Sequence, residues 1–149
     1  MKLLVAFFHL AMAVTASAAT LAERTFLATV VHVVDGDTIY VSIPGFPEPY
    51  NPAQVRLDGI DTPESRKNDA KCSKELRLGL IAKAWLKDKL PVGAKVSVVW
   101  TGKHEKFGRL LATIYAGTEN INETLVRLGH AVEYHGQSKS SWCHINPAK

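Results

Sequence analysis

A β-hairpin signal near the start of the chain constrains the fold more than any other feature of the sequence. Residues 25–34 are rich in Val and Thr, whose branched side chains favour a strand. The dipeptide Asp35-Gly36, typical of tight hairpin turns, follows, and residues 38–43 then alternate apolar and polar side chains. The sequence therefore predicts two antiparallel strands joined by a tight turn.

Three more strands and two helices follow this hairpin. The strands are predicted at residues 53–58, 95–101 and 109–115, and the helices at residues 73–89 and 120–128. Five strands with helices inserted late predict a mainly β fold with α additions (α+β), built as a small, partly open barrel. A length of 149 residues, 46% of them hydrophobic, is ordinary for one folded domain.

The first predicted helix carries an apolar stripe. Its members recur at helical spacing and are Leu76, Leu80, Ile81, Ala84 and Trp85. This spacing places them on one side of the helix, so we expect the stripe to pack on the core.

The second predicted helix has recognisable ends. Asn120 is the expected N-cap, and Gly129 follows the last turn. The triplet Asn122-Glu123-Thr124 also fits an N-glycosylation sequon. We interpret it as capping and packing chemistry, because it lies inside the helix.

Residues 1–18 are typical of a secretory leader. A basic start precedes an apolar run, and Ala16-Ser17-Ala18 matches an A-x-A cleavage site. A short membrane anchor is the alternative, although the run is shorter than the ~20 residues that span a bilayer. We therefore predict a secreted or periplasmic protein whose domain covers residues 19–149 and which has no membrane association once the leader is removed.

The net charge is mildly basic. The chain has 18 Lys and Arg against 14 Asp and Glu, a formal charge of +4, and one of these lysines lies in the leader. This balance permits binding to polyanions such as nucleic acids, but it does not single them out.

The sequence contains two cysteines, Cys72 and Cys143. In an exported protein they predict one disulfide, because oxidising compartments preserve such bonds, and two unrelated thiols are the alternative. A bridge would tether the C-terminal tail to the start of the first helix.

The hairpin turn supplies the first pair of candidate metal ligands. Asp35 and Asp37 flank Gly36, so a tight turn would place their carboxylates within a few ångströms. Such a pair either holds a cation or consists of a turn residue and a solvated neighbour, and the tetrapeptide alone does not decide between them.

A second acidic segment, Asp61-Thr62-Pro63-Glu64, follows the third predicted strand. Pro63 restricts Thr62 to an extended conformation, which fixes where the neighbouring oxygens point. Carboxylate and carbonyl oxygens suit a hard cation such as Ca²⁺. The alternative is an ordinary helix start, with an N-cap followed by proline.

Two arginines lie at strand positions, Arg56 on the third strand and Arg109 at the start of the fifth. Each alone fits a salt bridge at the barrel edge. Two of them beside a carboxylate-bound cation would form an electrostatic clamp for a phosphodiester.

Four segments, in this order, resemble the staphylococcal nuclease (thermonuclease) family. They are Val34-Asp35-Gly36-Asp37-Thr38, Arg56-Leu57-Asp58-Gly59-Ile60-Asp61-Thr62-Pro63-Glu64, Lys106-Phe107-Gly108-Arg109-Leu110-Leu111-Ala112 and Asn122-Glu123-Thr124-Leu125-Val126-Arg127-Leu128-Gly129. The resemblance implies an OB-type barrel with one Ca²⁺. It further implies that Asp37, Asp61 and the Thr62 carbonyl bind the metal, with Asp35 in a supporting position near it.

The same resemblance implies cleavage of DNA and RNA to 3′-phosphorylated products. Arg56 and Arg109 would contact the scissile phosphate, and Glu64 would orient or deprotonate the attacking water. The expected partners are DNA and RNA, and the expected assembly is a monomer.

The chain departs from the family's pattern near its end. Phe107 stands where the family often has a tyrosine. The family also has aromatic residues that stack a base after residue 131, and here either Tyr134 or His135 is expected to do so. We expect the family's third helix to be missing and a Cys72–Cys143 bridge, with Trp142 packed nearby, to replace its tethering role.

Two other functions compete with this one. A catalytically silent OB-type nucleic-acid-binding module would keep the barrel, whereas here all the carboxylates and both arginines are present. An exported structural domain with no nucleic-acid role would leave that set of residues unexplained.

Overall fold

The computed structural model describes residues 24–105 and 107–145. The predicted leader, residues 1–18, lies outside them. The elements in chain order are β1 (Arg24–Asp35), β2 (Thr38–Ser42), β3 (Ala53–Leu57), β4 (Ile60–Asp61), α1 (Ser73–Lys89), β5 (Lys95–His104), β6 (Leu110–Ala116), β7 (Glu119–Asn120), α2 (Ile121–Arg127) and β8 (Val132–Glu133). In this part of the chain, neither helix is long and apolar enough to cross a membrane.

Five strands close into a barrel in the order β3-β2-β1-β5-β6. Consecutive strands of this order pair antiparallel, and a parallel pairing of β3 with β6 closes the ring. The short strand β7 pairs antiparallel with β6, while β4 and β8 form a separate two-stranded sheet. The predicted mainly β fold, a five-stranded OB-type barrel with two helices, is confirmed, and the described residues contain no third helix.

The predicted hairpin is present, with Asp35 paired to Thr38 across the turn. Gly36 is required there for space rather than for a positive φ. A Cβ at this position would lie 3.0 Å from the Cβ atoms of Thr62 and Ala82. The glycine therefore lets α1 and the segment after β4 approach the turn closely, which brings both acidic segments together.

The predicted packing of α1 is wrong. The helix faces the rest of the protein with Glu75, Gly79, Ala82 and Leu86, whereas Leu80 is 51% exposed. Small residues decide this orientation, because Gly79 and Ala82 permit a close approach that larger side chains would prevent. Ile81 and Ala84 of the predicted stripe also face solvent, while Leu76 and Trp85 are partly buried.

The second helix begins at its predicted cap, since the Asn120 side chain accepts a hydrogen bond from the Glu123 amide at 3.2 Å. Asn122 is buried. Its amide group donates to the Asp58 carbonyl at 2.9 Å and accepts from the Ile114 amide at 3.1 Å. This side chain therefore joins α2 to two parts of the barrel, in agreement with a packing role.

The C-terminal tail, residues 137–145, returns to the start of α1. Cys143 is bonded to Cys72, the N-cap residue of α1. Trp142 is only 3% exposed. The tail is therefore fixed at two adjacent points.

Candidate active site

The predicted site residues meet in one cleft beside the β1–β2 turn. The cleft has a volume of about 360 Å³. It is lined by Asp35, Asp37, Thr38, Gln54, Arg56, Asp61, Thr62, Pro63, Glu64, Arg66, Phe107, Arg109 and Lys139. All seven residues that the sequence proposed for metal binding and catalysis are among them.

Arg56 lies between the two acidic segments. Its neighbours along β3 are buried in the core, so strand alternation directs Arg56 to the cleft. One guanidinium nitrogen, Nη1, is 2.8 Å from Asp37 Oδ2, and the other, Nη2, is 3.5 Å from Asp61 Oδ1. Nη2 also donates to the Ile60 carbonyl at 3.0 Å. Arg56 therefore holds both carboxylates to the end of β3.

Asp37 is buried and both of its carboxylate oxygens are engaged. Oδ2 accepts hydrogen bonds from the amide of Thr62 at 3.1 Å and from its hydroxyl at 2.8 Å, while Oδ1 accepts from the Thr38 hydroxyl at 3.1 Å. Burial raises the pKa of Asp37 and the nearby Asp35 raises it further, although Arg56 opposes both effects.

Asp61 receives its partners from the C-terminal tail. The Lys139 ammonium lies 2.7 Å from Oδ1, and the Trp142 indole donates to Oδ2 at 3.4 Å. The Asp61 side chain is only 4% exposed, so these contacts compensate a carboxylate that has little access to water.

Glu64 lines the cleft and is half-buried. Helix α1 fixes its backbone, because a Cβ at Gly79 would lie 2.3 Å from the Glu64 carbonyl oxygen. Burial raises the pKa of the Glu64 carboxyl group, Lys139 lowers it and Asp37 raises it again. The glycine at position 79 therefore lets the main chain of Glu64 lie directly against the helix.

Arg109 closes the opposite side of the cleft. Its Nε and Nη2 atoms approach Glu105 Oε2 at 2.9 and 2.7 Å, and Nη1 donates to the Thr38 hydroxyl at 3.3 Å. Glu105 thus orients the guanidinium group, and Thr38 links it to the turn that carries Asp37.

Comparison with known proteins shows the family of this chain. Residues 54–145 match the family described as staphylococcal nuclease homologue. This protein belongs to that family. The matched region contains Arg56, Asp61, Glu64 and Arg109, whereas the turn with Asp37 precedes it, so its place beside them is seen in the three-dimensional structure.

Three relatives of this staphylococcal nuclease homologue cover about three quarters of the chain. This chain is 35% identical over 118 residues to endonuclease YhcR of Bacillus subtilis, and the match covers 76% of this chain and 9% of that protein. An uncharacterized protein of Bacillus anthracis is 34% identical over 111 residues, covering 73% of this chain and 48% of the relative. An uncharacterized protein of Methanocaldococcus jannaschii is 33% identical over 131 residues, covering 73% and 59%.

The chain thus spans from about a tenth to about three fifths of the length of these relatives. The activity of the complete relatives therefore enters below only as a proposal.

The donor atoms in this staphylococcal nuclease homologue suit a hard cation. Asp37 and Asp61 share Arg56, and Oδ1 of Asp35 is a buried oxygen without a hydrogen-bond partner in the described part of the chain. Within residues 24–105 and 107–145, however, no three His, Cys, Asp or Glu side chains are grouped to hold a metal by themselves. A metal here would therefore need a main-chain carbonyl, such as that of Thr62, and water in addition.

Sequence reasoning missed three residues that line the cleft, namely Gln54, Arg66 and Lys139. Lys139 had no motif to reveal it. The single available signal was the cysteine pair, which brings the tail back to α1.

Proposed function

We propose that this protein is an exported, calcium-dependent nuclease that hydrolyses phosphodiester bonds of DNA and RNA to 3′-phosphorylated products. The observation that carries the proposal is the position of Arg56, within 2.8 Å of Asp37 and 3.5 Å of Asp61, in a cleft that Glu64 and Arg109 also line. Carboxylates for a hard cation and guanidinium groups for a phosphate thus share one cleft.

The proposed ligands for Ca²⁺ are Asp37, Asp61 and the carbonyl oxygen of Thr62, supported by Asp35. When bound, the metal would polarise a phosphoryl oxygen and lower the charge of the substrate. Membership of a nuclease family and the name of the YhcR relative support this assignment.

The protein's own residues would share the remaining chemistry. Glu64 would orient a water molecule and accept its proton as the water oxygen bonds to phosphorus. The bond from phosphorus to the 5′ oxygen would then break, that oxygen would leave as a hydroxyl with a proton from solvent, and Glu64 would return its proton to solvent. Arg56 and Arg109 would neutralise the charge that accumulates on the phosphoryl oxygens.

The surroundings of the cleft suit a nucleic acid. Phe107 is 74% exposed and Arg66 is largely exposed at the same cleft. An aromatic ring can stack on a base, and a guanidinium group can contact a phosphate. Tyr134, beside Lys139, remains a proposed second stacking residue, as does His135.

The decisive experiment incubates the purified protein with plasmid DNA and with RNA, first with Ca²⁺ and then with EGTA. We expect cleavage only with Ca²⁺ and 3′-phosphate ends on the products. Glu64→Gln should lower the rate by roughly 10²- to 10⁴-fold, the range for loss of a general base. Glu123→Gln, which neutralises an exposed acid on α2, is the matched control and should retain the rate.

The same experiment separates the two functions. DNA binding without cleavage, under all metal conditions, would establish a catalytically silent OB-type binding module and contradict the nuclease proposal. Equal cleavage in EGTA would contradict calcium dependence.

We also propose export, removal of residues 1–18, a secreted or periplasmic location and a monomeric state. The Cys72–Cys143 bond supports export because disulfides persist in oxidising compartments. N-terminal sequencing of the protein from its source should find Ala19 first, and an intact N-terminus would contradict this proposal. Light scattering at several concentrations would test the monomer.

A further inference from the structure

Lys139 occupies a position that the proposed metal would need. Its Nζ atom is 2.7 Å from Oδ1 of Asp61, a proposed metal ligand. The Lys139 side chain is 50% exposed while that of Asp61 is 4% exposed. A flexible cation reaching from the surface therefore neutralises a carboxylate that is nearly closed to water.

Among the charged groups in direct contact with Asp37 and Asp61, cations and anions balance. Arg56 and Lys139 supply two cationic groups, and Asp37 and Asp61 supply two carboxylates. A divalent cation added between these carboxylates would meet an ammonium group already bound to one of them. Two positive groups that both contact Asp61 Oδ1 would lie only a few ångströms apart and would repel strongly in a partly buried site. The divalent cation and the ammonium group therefore compete for this oxygen.

The tail holds Lys139 at this position from both sides. Four residues later, Cys143 is bonded to Cys72, and Trp142 donates to the second carboxylate oxygen of Asp61. On the other side, Nζ lies 5.7 Å from the centre of the Tyr134 ring. Because the tail is tethered, the ammonium group stays near Asp61 even when it is displaced.

We propose that Lys139 is the internal counter-ion of Asp61 and that a divalent cation binds this cleft by displacing the Lys139 ammonium group. The tail would then set the affinity for the metal, and the disulfide would set the local concentration of the competing ammonium group. This inference rests on the proposed function, because it assumes that Asp61 is a metal ligand.

Isothermal titration of metal-free protein with CaCl₂ tests the inference without measuring activity. We expect Lys139→Met to bind Ca²⁺ about tenfold more tightly than the unaltered protein, since a competing charge is removed. Lys139→Arg keeps the charge and should stay within about twofold. The matched control, Lys87→Met, removes an exposed lysine of α1 that does not line the cleft, and it should behave like the unaltered protein.

A second variant tests the tether itself, and circular dichroism first confirms that each variant is folded. Cys143→Ser releases the tail while retaining Lys139, so it should also bind Ca²⁺ more tightly, by a smaller factor. Equal or weaker Ca²⁺ binding by Lys139→Met, compared with the unaltered protein, would overturn the inference. Equal or weaker binding by Cys143→Ser alone would contradict the part assigned to the disulfide.

The outcomes also separate this inference from the proposed function. If Ca²⁺ binds and activates the unaltered protein but its affinity is unchanged in Lys139→Met, the nuclease proposal stands and the counter-ion role is wrong. If none of the proteins binds Ca²⁺, the calcium-dependent function is wrong and the inference falls with it.

Discussion

The two sides of the cleft are built in different ways. The strand side consists of Asp37 at the β1–β2 turn, Arg56 on barrel strand β3 and Asp61 on β4 of the small second sheet. Main-chain bonds align it directly, for example the bond from the Leu57 amide to the Asp37 carbonyl at 2.8 Å. The tail side consists of Lys139, with Trp142 beside it, on a segment without a helix or strand in residues 137–145.

The two sides of the cleft are therefore held in place by different kinds of contact. The groups that we propose to bind a phosphate and a metal lie on hydrogen-bonded strands or their turn. The counter-ion lies on a long side chain of a segment fixed by one disulfide and one buried indole ring. We therefore expect the two sides to respond differently to mutation, as follows.

Loss of the disulfide should have the largest effect on stability. The bond joins residues 71 positions apart, and the chain-entropy model gives a loss of about 4 kcal/mol in the free energy of unfolding. Urea unfolding of Cys143→Ser measures it. Cys72→Ser/Cys143→Ser is the matched control and should lose the same amount, because serine can still cap α1. A larger loss in the double variant would show that Cys72 stabilises the protein in another way.

Removal of Arg56 should have the next largest effect, on the strand side. Arg56→Met leaves the buried carboxylates of Asp37 and Asp61 without their shared cation, which should cost about 3 kcal/mol. Calcium should restore more stability in this variant than in the unaltered protein, since the metal replaces the lost charge. Thermal unfolding with and without CaCl₂ measures both, with Arg24→Met as the exposed control. Equal stabilisation by calcium of Arg56→Met and of the unaltered protein would show that calcium does not replace the charge of Arg56.

Substitution of Gly79 tests how α1 supports the strand side. In most helices Gly→Ala stabilises by about 1 kcal/mol, but here the new Cβ would lie 2.3 Å from the Glu64 carbonyl oxygen. We expect Gly79→Ala to destabilise by about 2 kcal/mol and to lower nuclease kcat, because the Glu64 segment must shift. Chemical unfolding and cleavage assays measure these effects. Arg77→Ala, on the exposed face, should show neither, and a stabilised Gly79→Ala would refute the close contact.

The smallest effect is expected outside both sides, at His130. Its ring lies 5.8 Å from that of Trp85, and burial lowers its pKa below the ordinary 6.5. The unfolded chain therefore binds the proton more readily, so stability is full above pH 6.5 and falls as the pH drops through the folded-state pKa. Because the ring is half-exposed, the loss should stay below about 1 kcal/mol.

The measurement compares urea unfolding at pH 8 and pH 5.5. His130→Gln should reduce the difference between the free energies of unfolding at these two pH values. His32→Gln, at an exposed position of β1, should leave this difference unchanged. An unaltered pH difference in His130→Gln would exclude His130 as the source.

Local signals were sufficient where residues act on their chain neighbours. The hairpin, the five barrel strands and the Asn120 cap follow from alternation, turn residues and capping, which operate over a few positions. The orientation of α1 could not be predicted in this way. Its spacing indicated that Leu80 faces the core, but the contacts of Gly79 with the Glu64 backbone and of Ala82 near Gly36 depend on the distance between separate elements.

The sequence by itself determined the type of barrel, the candidate ligands and the two arginines, because strand propensity and acidic or basic character are properties of the residues. Only the tertiary structure decided that Arg56 bridges Asp37 and Asp61 and that Lys139 neutralises Asp61. Lys139 and Asp61 are far apart in the chain. Their contact depends on the path of the tail, which the disulfide and Trp142 fix, and no local pattern encodes that path.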